Sequence, residues 1–172
     1  MFSRWTWPFG LSLKGIAFAS ALLLWASPGF AQRGGADPFG GLSGSWAGPG
    51  TITLSSGAKE RLRCRATYGV EDSVKSLQIS LRCASDSYKF ELQSAVTHND
   101  GTISGTWTEA TRNAGGTLSG TAGGGKIQAN ATGPTFSANL AFTTRAGQQT
   151  VSIQSPGSEI SAVAITLTKG AK

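Results

Sequence analysis

The fold is decided by residues 59–98, which read KERLRCRATYGVEDSVKSLQISLRCASDSYKFELQSAVTH. Apolar side chains fall on every second residue in the runs 62–68 and 77–83, and at residues 88, 90, 92 and 96 of a third run. A period of two is that of a β-strand with one buried face. Both cysteines of the chain, Cys64 and Cys83, lie on the apolar face. The stretch therefore predicts three antiparallel strands whose cysteines point into the core.

A disulfide between these cysteines follows from the predicted pairing. If the first two strands form a hairpin that turns through Glu71, Asp72 and Ser73, Cys64 lies directly opposite Cys83. Opposed residues on antiparallel strands have Cα atoms about 4.5 to 5.5 Å apart, a separation that a disulfide spans. The bridge fixes the register, because a one-residue slip would turn both apolar faces outward. Closing a loop of this size should add roughly 3 kcal/mol of stability.

Residues 1–31 are predicted to be a secretory signal peptide. Arg4 and Lys14 precede an apolar run over 16–25, and Gly29 and Ala31 supply small residues at a cleavage site. The alternative, a transmembrane anchor, needs about 20 apolar residues, which this run does not reach. The mature chain is therefore expected to be periplasmic or secreted, without a transmembrane segment, where a disulfide persists.

The remainder divides into an arm and one domain. Residues 32–41, with four glycines and one proline, are predicted to be a flexible arm. Residues 42–170 show no helical period, and turn-forming residues separate short runs of period two. We expect an all-β domain, an antiparallel up-and-down meander of eight to ten strands that forms a closed or nearly closed barrel. Closure is favoured because it removes the exposed edges of a long sheet.

A short repeat marks three of the expected strands. Residues 42–46 read LSGSW, residues 103–107 read ISGTW and residues 118–122 read LSGTA. Glycine inside a strand allows a neighbouring backbone or a large ring to come close. Trp46 and Trp107 share a face with these glycines, and a tryptophan so placed more often plugs a barrel than holds a ligand.

The Gly44-Ser45-Trp46 sequence resembles the Gly-x-Trp signature of calycin barrels, the lipocalins and avidins, whose opening tryptophan closes one end of the barrel. Four segments give the mature chain a resemblance to a family of uncharacterised exported bacterial proteins: CRATY (64–68), LRCAS (81–85), SYK (87–89) and SGTW (104–107). The resemblance implies a calycin-like barrel and no known activity. The Gly- and Ala-rich second half departs from lipocalins, so calycin ligand residues are not transferred.

Catalytic and metal-binding patterns are sparse. His98 is the only histidine, and it precedes the turn sequence Asn99-Asp100-Gly101. The cysteines are explained by a disulfide, and no cluster of His, Asp or Glu supplies the other ligands of a zinc site. Glu60, Glu91 and Glu109 are scattered among cations, so no glycosidase pair can be argued. The sequence therefore predicts no enzyme, no metal site and no cofactor.

One candidate binding site is the polar face of the cysteine hairpin. The anion-binding candidates are Arg61, Arg63, Arg65, Arg82 and Lys89. Like charges that face each other on neighbouring strands destabilise a sheet, so five cations on one face require an explanation. Either Glu60 and Glu91 form local ion pairs on a solvated face, or the face binds an anionic polysaccharide or lipid head group. The formal charge of the whole chain, +6, indicates no specific nucleic-acid partner.

The second candidate is the interior of the barrel. Small residues of the second half share a face with Trp107, Phe136, Leu140 and Phe142, the candidate cavity residues. A barrel of eight or more strands holds a small apolar ligand if its side chains leave room. The alternative is that the barrel flattens and the aromatic rings fill the gap, as dense packing favours.

These features support several functional hypotheses. The leading one is an exported, non-enzymatic binding module of the bacterial envelope, which takes up a small amphipathic molecule or docks on an anionic envelope component. The alternative is an inhibitor of a secreted hydrolase, a protease or lysozyme, that inserts residues 32–41 into a cleft. A third is a structural or adhesive envelope protein that binds polysaccharide through its arginines. The oligomeric state is not indicated.

Overall fold

A computed structural model describes residues 37–71 and 75–170, which form ten strands and, within those ranges, no helix. The strands are β1 (Gly44–Leu54), β2 (Lys59–Glu71), β3 (Ser76–Ala84), β4 (Lys89–Asn99), β5 (Thr102–Glu109), β6 (Ala114–Gly123), β7 (Lys126–Thr132), β8 (Ser137–Arg145), β9 (Gln148–Gln154) and β10 (Ile160–Lys169). The described part of the chain contains no helix that could span a membrane. The predicted signal peptide, 1–31, lies outside the described residues.

The ten strands form a closed barrel in which every strand pairs antiparallel with its sequence neighbours and β10 pairs with β1. The predicted all-β meander with a closed barrel is thereby confirmed. In an up-and-down barrel, successive turns along the chain lie alternately at one end of the barrel and at the other. The turns from β1 to β2, β3 to β4, β5 to β6, β7 to β8 and β9 to β10 lie at one end, here called the open end, and the other end is called the closed end.

The predicted register of the cysteine hairpin is also confirmed. Along β2, every second side chain is buried and the intervening arginines are exposed. Cys64 lies opposite Cys83 and forms the disulfide, with a Cα–Cα distance of 4.1 Å, somewhat shorter than expected. Arg65 lies opposite Arg82 in the same ladder, on the outer surface.

The closed end is filled by the segment that enters β1. Trp46 is 2% exposed, and its Nε1 donates a hydrogen bond of 2.7 Å to the carbonyl oxygen of Leu42. Phe39, 1% exposed, packs in the same core. Of the flexible arm expected over 32–41, the structure describes residues 37–41, and residues 38–41 form a turn that carries Phe39 inward. Burial of this single large apolar side chain holds that part of the arm on the barrel.

Two of the three glycines of the repeat, Gly105 and Gly120, stand where another backbone comes close. A Cβ atom on Gly105 would lie 2.1 Å from the carbonyl oxygen of Ala95, and one on Gly120 would lie 2.0 Å from that of Gln128. Real atoms do not approach so closely, so only glycine fits at these positions without a shift of β5 or β6. The two glycines therefore let the sheet curve around the second half of the barrel.

Candidate functional site

An apolar cavity of about 440 Å³ occupies the open half of the barrel interior. The inward-facing side chains of β3 to β10 form its wall because strand alternation sends every second residue inside. Bulky aliphatic residues of the wall include Ile79, Leu81, Leu92, Ile153 and Val163. Most of them are partly rather than fully buried, as expected of residues around an open space. A volume of this size is typical of sites for small organic ligands.

The space exists because small residues replace bulky ones in β7 and β8. Ala131 pairs with Ala138 across the ladder, and both line the cavity. The four candidate cavity residues, Trp107, Phe136, Leu140 and Phe142, also lie in its wall. Trp107 and Phe136 meet edge to face, with ring centroids 5.4 Å apart. The aromatic rings therefore stand around the gap and do not fill it, and their contact with a ligand stays a prediction.

The cavity ends toward the closed end at a buried polar group. Tyr68, which lines the cavity, donates a hydrogen bond to the side-chain oxygen of Gln149. The Nε2 atom of Gln149 in turn donates to Thr144 Oγ1 at 3.0 Å. Burial strongly raises the pKa of Tyr68, and the hydrogen bond to Gln149 offsets only part of this effect. The phenol is therefore neutral and acts as a fixed part of the floor.

The mouth of the cavity carries a carboxylate in a cage of hydrogen bonds. Glu109 is 7% exposed and accepts hydrogen bonds from the backbone N–H groups of Glu91, Thr111 and Arg112, at 2.8, 3.2 and 2.9 Å. The Thr111 hydroxyl also donates to this carboxylate. Burial alone would raise the pKa of Glu109, but these hydrogen bonds outweigh it and lower the pKa. The carboxylate is therefore ionised and held rigidly.

An arginine and a tyrosine complete the mouth. Arg112 lies 3.6 Å from the Glu109 carboxylate, and its guanidinium sits 4.8 Å from the centroid of the Phe90 ring. The Tyr88 ring lies parallel to the Phe90 ring, and its hydroxyl donates a hydrogen bond to the carboxylate of Glu159 at 3.0 Å. The hydrogen bond to Glu159 raises the pKa of Tyr88. Arg112 and Glu159 line the cavity, so its opening is polar although its wall is apolar.

The other candidate site lies on the outside of the barrel. All five of its residues are exposed: Arg61, Arg63, Arg65, Arg82 and Lys89. Lys89 forms an ion pair with Glu91 at 2.8 Å. Within the described ranges the four arginines form no ion pair. The structure therefore brings the four arginines together on β2 and β3, and the nearest carboxylate in the ladders is Glu91, which lies opposite Arg82.

Of the two carboxylates expected to neutralise this face, Glu91 pairs with Lys89 of the face, whereas Glu60 is engaged elsewhere. Glu60 is on the inward-facing side of β2 and accepts a hydrogen bond from the backbone N–H of Ser87 at 2.9 Å. That hydrogen bond is the main reason why the pKa of Glu60 is lowered. The pKa of Glu91 is lowered chiefly by Lys89, with a smaller contribution from Arg82. The expected local ion pairs therefore do not form with the arginines of β2.

The histidine and the acidic residues do not assemble into a metal site in the part of the chain that the structure describes. His98 lies at the closed end, where its Nε2 accepts a hydrogen bond of 3.0 Å from the backbone N–H of Gly101. Its ring meets Phe39 edge to face. His98 is therefore part of the turn and of the plug, far along the strands from the cavity mouth.

Sequence reasoning missed two residues of the mouth, Glu109 and Arg112. Glu109 had a signal: Ile103, Gly105 and Trp107 share its inward side of β5, so a carboxylate at that position stands on the apolar face. Arg112 lies in a turn, where no periodic pattern indicates which way its side chain points. Its position depends on contacts with Phe90 on another strand.

Comparisons with known proteins show the fold. Among the solved structures similar to this chain is Rv2717c from M. tuberculosis, with a TM-score of 0.61 and 13% identity, over 76% of this chain and 93% of that chain. Another is the S-type phycobiliprotein lyase CPES from Guillardia theta, with a TM-score of 0.54 and 11% identity, over 76% of this chain and 89% of that chain. No family model and no curated protein matches the chain. Similarity to β-barrel proteins is thus established, while the calycin relationship stays a prediction.

One expectation is corrected by this comparison. The sequence predicted that the chain is not an enzyme, and the comparison contradicts this prediction, because one protein of similar fold is a phycobiliprotein lyase. The prediction rested on the lack of hydrolase and metal motifs. Those motifs test only a few reaction classes, and an enzyme that uses neither a hydrolase motif nor a metal site would not show them.

Proposed function

We propose that the barrel binds one small amphipathic molecule, with its apolar part in the cavity and its polar end at the mouth. The observation that carries this proposal is the combination of an apolar space of about 440 Å³ with a polar opening. An apolar group of a ligand gains free energy when it leaves water and enters the cavity. A polar group would lose its hydrogen bonds to water there, because the wall is mainly apolar. A molecule with an apolar body and a polar end matches both regions.

The mouth residues are suited to hold a polar end in one orientation. The Glu109 carboxylate is satisfied by neighbouring N–H and hydroxyl donors, so Arg112 is only partly engaged by it at 3.6 Å. Arg112 therefore has donors left for an oxygen of the ligand. Binding is the step that this geometry supports, and it is shared by a carrier and by an enzyme that acts on the bound molecule.

We further propose that the protein works outside the cytoplasm, in the bacterial envelope or beyond it. Two observations support this proposal. The Cys64–Cys83 disulfide joins two buried residues, and disulfides persist in oxidising compartments. The sequence of residues 1–31 has the features of a signal peptide.

A cavity-filling variant tests the binding proposal. Ala138→Leu places a larger side chain at a position that is 4% exposed and lines the cavity, and Ala141→Leu makes the same change on the outer surface of β8. The probe is a fluorescent fatty acid, titrated while its emission is recorded. We expect Ala138→Leu to weaken binding at least tenfold and Ala141→Leu to leave it unchanged.

The stability of each variant is measured by thermal unfolding, because overpacking can also destabilise a barrel. Native mass spectrometry of protein purified without detergent, before and after refolding, gives an independent result. An additional mass that is lost on refolding supports the proposal. Equal probe binding by both folded variants, without any bound mass, would overturn it.

A further inference from the structure

The outer surface of the barrel has its positive charge concentrated on one side. The four arginines of β2 and β3, Arg61, Arg63, Arg65 and Arg82, are here called the arginine strip. The outward positions of β5 to β9 carry mostly Ser, Thr, Asn and Gln, and the cations there are Lys126 and Arg145, both in turns or strand ends of the closed end. The charge of the wall is therefore segregated and not evenly mixed.

The disulfide keeps arginines of the strip close to one another although their charges repel. Arg65 and Arg82 are direct partners in the β2–β3 ladder, and the disulfide between the adjacent residues Cys64 and Cys83 fixes that register. Like charges opposite each other destabilise a sheet. Among the described residues none of the four arginines forms an ion pair; Glu91 lies opposite Arg82 in the next ladder but is bound to Lys89. The fold thus presents four arginines at fixed positions on the wall, and Arg61, Arg63 and Arg65 stand on a strand whose outer face carries no carboxylate between them.

The strip runs from near the cavity mouth down the wall. Lys59 begins β2 at the open end, so Arg61 stands one pair of residues from the rim. Successive outward residues of a strand lie about 7 Å apart, and adjacent strands lie about 5 Å apart. The arginines therefore cover a short two-dimensional area beside the opening and not a single line.

We propose that the arginine strip docks the barrel on an anionic lipid bilayer. The outward positions of β1 to β4 contain no aromatic side chain that could stack on a base or a sugar ring. Recognition is thus by charge alone, which a two-dimensional array of phosphate head groups satisfies. Docking also brings the mouth next to the membrane, from which an amphipathic ligand would be taken; that last step alone rests on the proposed function.

Sedimentation with lipid vesicles tests the docking. The disulfide-bonded protein is mixed with vesicles of phosphatidylcholine and phosphatidylglycerol in equal parts, or of phosphatidylcholine alone. We expect binding to the mixed vesicles only, and we expect it to fall as salt is added, because surface charges are screened. Arg63→Ser/Arg65→Ser should weaken binding roughly 25-fold, from the usual contribution of a basic residue near an anionic membrane.

The matched control is Lys126→Ser/Arg145→Ser, which removes the same net charge from exposed positions outside the strip. We expect it to bind within about twofold of the unmodified protein, as positions distant from the surface contribute little. Equal losses in both variants would overturn the assignment to the strip. Failure to bind mixed vesicles, together with retention on alginate, would overturn the lipid in favour of a polysaccharide. Ala138→Leu should dock normally, so that failure of docking and failure of cavity binding are separate results.

Discussion

Tyr68 on β2 donates a hydrogen bond to Gln149 on β9 across the barrel interior, although 81 positions separate them in the chain. Gln149 is 1% exposed, and its amide nitrogen is bound to Thr144. The pair divides the interior into the filled closed end and the cavity above it. A polar group in such a place stabilises the fold only when all of its atoms have partners.

Tyr68→Phe is expected to lower the free energy of unfolding by about 1 to 3 kcal/mol, because it leaves the buried oxygen of Gln149 without a donor. Tyr68→Phe/Gln149→Leu should be less destabilised than the single variant, since both polar partners are then gone. Urea unfolding of the two variants and the unmodified protein measures this difference. A double variant with a lower free energy of unfolding than the single variant would show that the unpaired oxygen of Gln149 is not what destabilises Tyr68→Phe.

The same tyrosine predicts an alkaline dependence. Burial raises the pKa of Tyr68 above its ordinary value of 10.0, so the unfolded chain loses this proton first. The stability that the neutral phenol provides is complete below pH 10 and declines as the pH rises further. Unfolding measured over that range should show a smaller decline in Tyr68→Phe. An unchanged decline in the variant would contradict the assignment.

Glu109 predicts an acid dependence with the opposite sign. Its pKa is lowered below 4.5, so its stabilising effect is complete above that pH and is lost as the pH falls through the folded-state value. Thr111→Val removes a hydroxyl that donates to this carboxylate and should destabilise the protein at pH 7. The difference from the unmodified protein should shrink at acid pH. A difference that is the same at neutral and acid pH would assign the effect to packing.

Removal of the disulfide should cost about 3 kcal/mol, since Cys64 and Cys83 close a loop with a sequence separation of 19. Cys64→Ser/Cys83→Ser is compared with the unmodified protein in urea unfolding. The unmodified protein in dithiothreitol serves as the control and should match the variant. Equal stability in the presence and absence of the reducing agent would contradict a stabilising bridge.

Gly105→Ala should destabilise the barrel by about 1 to 3 kcal/mol or prevent folding, because its methyl group would overlap the carbonyl of Ala95. Gly123→Ala is the matched control in the adjacent strand β6, where the added methyl group meets no atom within 4 Å. Thermal unfolding by circular dichroism compares the two variants. Similar melting temperatures would show that the strands shift easily at Gly105.

Phe39→Ala should lower the free energy of unfolding by about 3 kcal/mol or more, because it empties a position that is 1% exposed in the plug. Ser43→Ala, an exposed position nearby, is the control and should have little effect. Limited proteolysis of the segment before β1 gives a second measurement. A stable Phe39→Ala variant would favour the inhibitor hypothesis, in which this arm is free to enter a cleft.

Local patterns predicted much of this fold. The alternation along β2 placed Leu62 and Cys64 inside and Arg63 outside, and the expected hairpin placed Cys64 opposite Cys83. These features depend on period and on short loops, which the sequence displays directly. The regular turns predicted eight to ten strands in a closed or nearly closed barrel, and the structure has ten strands in a closed one.

Periodic patterns could not predict the contacts that depend on turn conformation and on the three-dimensional shape of the barrel. Phe39 stands in a glycine-rich stretch, and only the shape of the closed end makes it a core residue. The cage around Glu109 combines the N–H of Glu91 on the paired strand β4 with N–H groups of the turn after β5, and no periodic pattern gives the conformation of that turn. The cavity likewise depended on how far the sheet curves, so the sequence supported both a filled and an empty interior.

The pairing of β1 with β10 also determines when the protein can finish folding. Ile52 near the start of the barrel lies opposite Val163 near its end, so this contact closes a loop of almost the entire domain. Such long-range pairing is slow, because the chain loses entropy before the contact compensates for it. Until β10 is in place, β1 and β9 both present unpaired edges that can join other chains. A chain shortened before Ile160 should therefore aggregate and not form a smaller barrel.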